Sequence, residues 1–189
     1  MAEVIYEYTA YTDATDYNSN PAYIVDLDDN TFGAATAGNG VKIINLNTNQ
    51  CVGTNLGTIT KVEILAKTAS YDANAINNVK ANYGGVGTYG DNKSVTTAPQ
   101  TPTEYVFDIT ADTNAPSPWT WTDVQNLDLY FNGSTWESKP DIYYGKLRIT
   151  YSKLRGGFGF GNPWIFMKEA REKHDKLWKP KGILVPEGI

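Results

Sequence analysis

Short runs of β-branched and aromatic residues recur from residue 1 to about residue 152, each closed by a cluster of Gly, Asn, Asp, Ser or Pro. No amphipathic helical run of crossover length separates consecutive strands, so antiparallel pairing is left to satisfy their backbone N–H and C=O groups. Val4-Ile5-Tyr6-Glu7-Tyr8-Thr9 opens the series, and residues 22–25 follow the turn cluster Asn18-Ser19-Asn20-Pro21. Residues 41–46, 58–67, 75–80, 104–109, 127–131 and 143–151 continue it. In 58–67 the charges of Lys61 and Glu63 mark one face, which assigns Thr60, Val62, Ile64 and Ala66 to the core. The same alternation turns Leu127, Leu129 and Phe131 inward, and likewise Leu147, Ile149 and Tyr151. The expected fold class is all-β: an antiparallel jelly-roll β-sandwich over residues 1–152, with one short inserted helix.

That helix is expected after Thr120-Trp121-Thr122-Asp123, which has the form of a capping box: the Thr hydroxyl accepts an amide proton and the carboxylate reaches back. Trp119 and Trp121 are expected to plug one end of the sandwich rather than face a ligand.

A different pattern begins near residue 153. Residues 153–162 form a glycine-rich hinge around Phe158 and Phe160. Asn162 and Pro163 then suit an N-cap and first helical position. Residues 163–189 are expected to be an amphipathic helix and a docking arm, with Trp164, Phe166, Met167, Leu177, Trp178, Ile183, Leu184 and Val185 as interface anchors alongside Phe158 and Phe160. Charge divides at the same place. Residues 1–150 hold 8 basic and 17 acidic side chains, and residues 151–189 hold 8 and 4. A basic arm on an acidic body favours other copies of the chain as partners.

Composition excludes several function classes. A net charge of −5 argues against a nucleic-acid binder, which needs a basic field. One Cys and one His exclude a disulfide framework, multi-thiolate zinc and multi-histidine sites. No apolar run has the roughly 18 residues of a membrane span. Met1-Ala2-Glu3-Val4 has neither a basic nor an apolar leader region, so no signal peptide is expected. No pair of carboxylates stands out as a glycosidase acid and base, and there is no G-x-S-x-G elbow; an enzyme is not expected. No cofactor is expected either, calcium being the one ion with a candidate loop. Asp26, Asp28 and Asp29 place carboxylates on a tight turn, as calcium requires, although such oxygens also cap turn amides. Exposed Trp136, Tyr143 and Tyr144 are candidates for stacking on a glycan.

The stretch Val25-Asp26-Leu27-Asp28-Asp29-Asn30-Thr31-Phe32 resembles the Asp-Gly-Asp-x-x-Thr turn of discoidin-like, galactose-binding-like jelly rolls, departing from it at Leu27 and Asp29. Ile59-Thr60-Lys61-Val62-Glu63-Ile64 is similar to a later strand of that family. Tyr105-Val106-Phe107-Asp108-Ile109-Thr110 and residues 119–127 resemble a pattern in bacteriophage and archaeal-virus structural proteins built on this sandwich. The resemblance covers roughly residues 20–150 and implies a β-sandwich, glycan binding or virion assembly, and no catalytic residues.

The leading functional expectation is therefore a non-enzymatic virion structural protein: a capsid, cement or decoration, spike-base or tail component. It would be made in the host cytoplasm, located in the virion, and assembled with itself or other virion proteins through the C-terminal helix and arm. The alternative is a carbohydrate-binding β-sandwich module that recognises surface glycans. Buried Trp119 and Trp121 with no exposed aromatic strip would favour the first; an aromatic strip across one concave sheet would favour the second.

Overall fold

Strand β1 (Ala2–Asp13) is long enough to pair with two different neighbours. Its first half, Ala2 to Glu7, lies antiparallel to β9 (Pro140–Lys153); its second half, from Tyr8 onward, lies antiparallel to β3 (Lys42–Asn49). It therefore belongs to both sheets of the sandwich. Beyond β9 come β4 (Gly57–Ser70) and β7 (Thr103–Asp108), with the short β2 (Gly33–Ala34) on Asp141 and Ile142 of β9. Beyond β3 come β8 (Asp128–Ser134), β5 (Ile76–Asn82) and β6 (Lys93–Thr96). Every one of these pairings is antiparallel, as expected of a chain without crossover helices.

The computed structural model describes residues 1–13, 20–34, 42–53, 55–70, 76–84, 88–96, 101–134 and 140–153. The chain divides into a unit of Met1–Lys153 and a unit of Leu154–Ile189. The expected hinge, helix and arm, with all ten of their interface anchors, lie outside the described residues, and so does Trp136. Among the described residues no helix is long and apolar enough to cross a membrane.

Alternation built the core as expected. Val62, Ile64 and Ala66 of β4, Leu129 and Phe131 of β8, and Leu147 and Ile149 of β9 are buried between the sheets. The sheets approach closely at Gly145, where an added Cβ would lie 2.9 Å from both Leu46 Cδ1 and Phe131 Cε2. Only a residue without a side chain fits that point of β9.

Two local expectations are corrected. Residues 22–25 are not a strand: Pro21–Val25 is a 3₁₀ helix, closed by Tyr23 N–H donating to the Asn20 carbonyl at 3.0 Å. Pro21 stands at its start with φ preset and no N–H to lose, and the turn packs Ile24 into the core. In β4, Thr60 is exposed rather than buried, because a bulge between Ile59 and Lys61 inserts one residue and resets the alternation. Ile59 packs on the core as a result. The outward-facing Glu63 and Leu65 are covered as well, since β4 lies between β9 and β7.

The inserted helix α1 (Trp121–Gln125) has the expected capping box, with the Thr120 hydroxyl accepting from Asp123 N–H and the carboxylate accepting from Thr120 N–H. Trp119 and Trp121 are buried, and their indole N–H groups donate to the carbonyls of Thr110 and Gly57. Tyr8 crosses the core to donate to the Leu127 carbonyl at 2.6 Å. Cys51 is buried beside the Trp121 carbonyl, as a small hydrophobe.

Candidate ligand-binding face

The outer faces of the two sheets carry different chemistry. On the β1–β9–β4–β7 sheet, cross-strand partners are ion pairs. Glu63, nearly buried, accepts from Arg148 Nε at 2.8 Å and from Lys61 Nζ at 2.5 Å. Lys146 joins Glu7 at 2.9 Å and Asp29 at 2.6 Å. An open cleft of about 560 Å³ lies over Glu3, Glu63, Asp108 and Arg148. Glu63 and Asp108 face each other in register, yet both are held below the usual carboxylate range: Glu63 chiefly by the Arg148 bond, and Asp108, against its desolvation, by its bonds from Thr110 together with the charges of Lys61 and Lys93. A pair ionised on both sides supplies no general acid at neutral pH.

The outer face of the other sheet is rich in amides. Along β5, the buried Val79 and Ala81 alternate with Asn78, Lys80 and Asn82; along β8, Leu129 and Phe131 alternate with Asp128, Tyr130 and Asn132; along β3, Ile44 and Leu46 alternate with Asn45 and Asn47. Register brings these outward residues together. Asn78 opposes Asn132, Lys80 opposes Tyr130, and Asn82 opposes Asp128. Tyr130 in turn opposes Asn45, which opposes Thr12 on β1. Directly opposed side chains share a face and touch.

At its centre the Lys80 ammonium lies 4.1 Å from the ring centroid of Tyr89 and 4.8 Å from that of Tyr130, and the two rings meet at 5.2 Å. Tyr89 reaches the group from the turn after β5 by bridging to Asn82. Burial, with Tyr89 alongside, raises the Tyr130 phenol. One end of the face opens into a cleft of about 360 Å³ lined by Asn47, Thr48, Gln125, Asn126 and Asp128. Burial raises the Asp128 carboxyl, against the Asn45 amide that donates to it at 3.5 Å.

Three amide oxygens here, Asn45 Oδ1, Asn82 Oδ1 and Asn132 Oδ1, are buried with no hydrogen-bond donor in reach. Each such group costs on the order of 1–3 kcal/mol. The terminal torsion of an asparagine amide has a broad profile, so its orientation changes at small torsional cost. Asn78 and Asn47 are partnered, Asn78 accepting from Ser94 and Asn47 donating to Thr12, both at 2.8 Å.

The residues that the sequence singled out fall elsewhere. Asp26 accepts from Asp28 N–H at 2.9 Å and from the Thr31 hydroxyl; Asp28 accepts from Asn30 N–H at 3.0 Å; Asp29 pairs with Lys146. Their oxygens serve turn amides and an ion pair, and among the described residues no group of three acidic, His or Cys side chains is arranged to hold a metal. The depression beside them is about 10 Å³, room for one water and too small for a sugar. Tyr143 occupies a bulge of β9 and packs on Phe32 at 5.1 Å. The expectation of an exposed Tyr144 is corrected: it is 9% exposed, with Lys67 and Lys146 against its ring and its hydroxyl donating to Glu104. Lys67 and Lys146 reach it because they stand beside it on the ion-paired face. The amide face escaped the sequence reading because Asn is a turn residue by habit, and only strand register shows several of them side by side.

No family model and no curated protein matches the sequence. Among solved structures, the chain is similar to the CBM36-1 domain of a multidomain xylanase from the hindgut metagenome of Trinervitermes trinervoides, at 14% identity and a TM-score of 0.42, over 81% of this chain and 100% of that one. It is similar to chitosan-binding module 1 of a chitosanase/glucanase from Paenibacillus sp. IK-5, at 13% identity and a TM-score of 0.42, over 75% and 95%. An F5/8 type C domain from Bacteroides fragilis gives 12% identity and a TM-score of 0.41, over 77% and 92%. Likeness at this level bears on neither the ligand nor the chemistry of this chain.

Proposed function

We propose that the chain is a carbohydrate-binding β-sandwich module whose ligand lies across the outer face of β5, β8 and β3. The observation that carries the reading is the register of Asn45, Asn82 and Asn132, each with an orphaned amide oxygen, around the Tyr89–Tyr130 pair. A carboxamide donates and accepts at once, which matches the paired hydroxyls of a pyranose. Aromatic rings supply apolar surface for its C–H edges, and the open cleft at Asp128 has the volume of a small-ligand site. Trp119 and Trp121 are in the core, so the aromatic surface this face offers a ligand is the Tyr89–Tyr130 pair.

The test is a glycan array with the full chain, with and without calcium, followed by titration of any hit against Asn45→Ala and Asn132→Ala. Binding that falls at least severalfold in both variants supports the reading; binding that neither variant changes moves the site away from this face. The virion role expected from the tail is a separate proposal, and truncation after Lys153 distinguishes it. Glycan binding survives that truncation, whereas assembly through the arm does not.

A further inference from the structure

We propose that the glycan taken by this face is anionic, with its carboxylate placed on Lys80; the inference rests on the reading of the face as a glycan site. Lys61, Lys93, Lys146 and Arg148 each have a carboxylate within 4 Å. For Lys80, by contrast, no ion pair occurs among the described residues, and its ammonium sits against two tyrosine rings. Ring contacts hold a cation in place and strip part of its water without neutralising it, since a ring quadrupole is a weak counter-charge and leaves ammonium N–H donors unused.

The residues around it are uncharged amides and hydroxyls, apart from Asp128. That carboxylate is diagonal to Lys80 in the register, opposite Asn82, and farther than an ion pair allows. It also has its own donor in Asn45. Among the described residues, the face thus presents one positive charge, held against two tyrosine rings, in the middle of a field suited to hydroxyls. A neutral sugar would leave that charge unmatched, whereas a uronic acid supplies hydroxyls to the asparagines and a carboxylate to the ammonium. A charge held in place beforehand loses little freedom on pairing, so the carboxylate adds specificity as well as affinity.

The test uses the full chain with oligogalacturonate and oligoalginate, each beside its methyl ester, which removes the charge and keeps the hydroxyls. Titrations are run in chelator at low and high salt. The expected result is at least one acid form binding about tenfold tighter than its ester, with the advantage shrinking in high salt. Lys80→Gln should abolish the difference and Lys80→Arg should keep it. If acid and ester bind equally, or only neutral chains bind, the anionic assignment is overturned while the glycan reading stands. If the acid preference survives Lys80→Gln, the charge is read elsewhere and the assignment is likewise overturned. If no glycan of either kind binds the native chain, the reading of the face itself fails. Should Lys80→Gln fold poorly by circular dichroism, the acid–ester ratio in the native chain and in Lys80→Arg still decides.

Discussion

The side-chain amide of Asn49 donates to the Val124 carbonyl at 2.8 Å, so the end of β3 caps the end of helix α1. The same amide reaches the Leu127 carbonyl at 3.3 Å, and its oxygen accepts from Cys51 N–H at 2.8 Å. A residue 7% exposed thus ties the end of β3 to the backbone of the 121–127 segment and accepts from the Cys51 N–H. Asn49→Ala is expected to lower unfolding free energy by about 1–3 kcal/mol, because the buried Cys51 N–H loses its acceptor, while the Leu127 carbonyl keeps the Tyr8 hydroxyl and the Val124 carbonyl keeps Leu127 N–H. Urea denaturation measures it; a change within about half a kcal/mol would mean that water replaces the amide without penalty.

Gly145→Ala is expected to destabilise by about 1–3 kcal/mol, the range for overpacking a dense core. The new methyl would meet Leu46 and Phe131 from the opposite sheet and Leu129 at 3.0 Å. Pairing it with Leu46→Val should recover part of the loss, which a thermal melt of single and double variants reads directly.

Asn132→Ala should behave in the opposite sense to Asn49→Ala. Removing a buried oxygen that has no donor relieves a cost, so stability is expected to hold or rise by up to about 1 kcal/mol while glycan affinity falls. Melting temperature and affinity moving apart is the sign of a binding group; both falling together would mark a structural one.

Glu63 predicts a defined acid limb. Its folded-state pKa lies below the ordinary 4.5, so the unfolded chain takes up its proton first as pH falls. The stability it contributes is complete above about 4.5 and is lost as pH drops through the folded value. Glu63→Gln should be less stable at pH 7 by about 2 kcal/mol, as expected for losing charged hydrogen bonds, with the gap closing as pH falls below 4.5. Denaturation midpoints across that range give the answer; a gap independent of pH would show that packing, not charge, is lost.

Chelation should leave the melting temperature unchanged, because Asp26 and Asp28 already accept from turn amides and the Thr31 hydroxyl. A drop on adding chelator, restored by calcium, would revive the ion expected at Asp26, Asp28 and Asp29.

The strands were legible where one face is buried and the other wet, as in residues 127–131 and 143–151, because period-two alternation reports burial directly. Helix α1 was legible because a capping box is a local device, closed within Thr120 to Asp123. What local pattern could not supply was register. The bulge at Thr60 and the short β2 depend on partners far away in the chain. The candidate face is the extreme case: Lys80, Tyr130 and Asn45 are separated by dozens of residues, and only their pairing makes them neighbours.

The double membership of β1 also sets the order in which the fold can be completed. Ala2 opposes Tyr151, so the first strand of this unit has half of its hydrogen-bonding partners on β9, nearly 150 residues away in the sequence. Until residues 146–151 pair with it, Val4 to Glu7 present an open, apolar edge, the kind of segment that recruits another chain. Closing that ladder spans nearly the whole unit and has a high contact order, which slows folding. The unit is therefore most exposed to misassembly along β1 until β9 pairs with it. Pulse-labelled hydrogen exchange should find the β1–β9 amides among the last to gain protection.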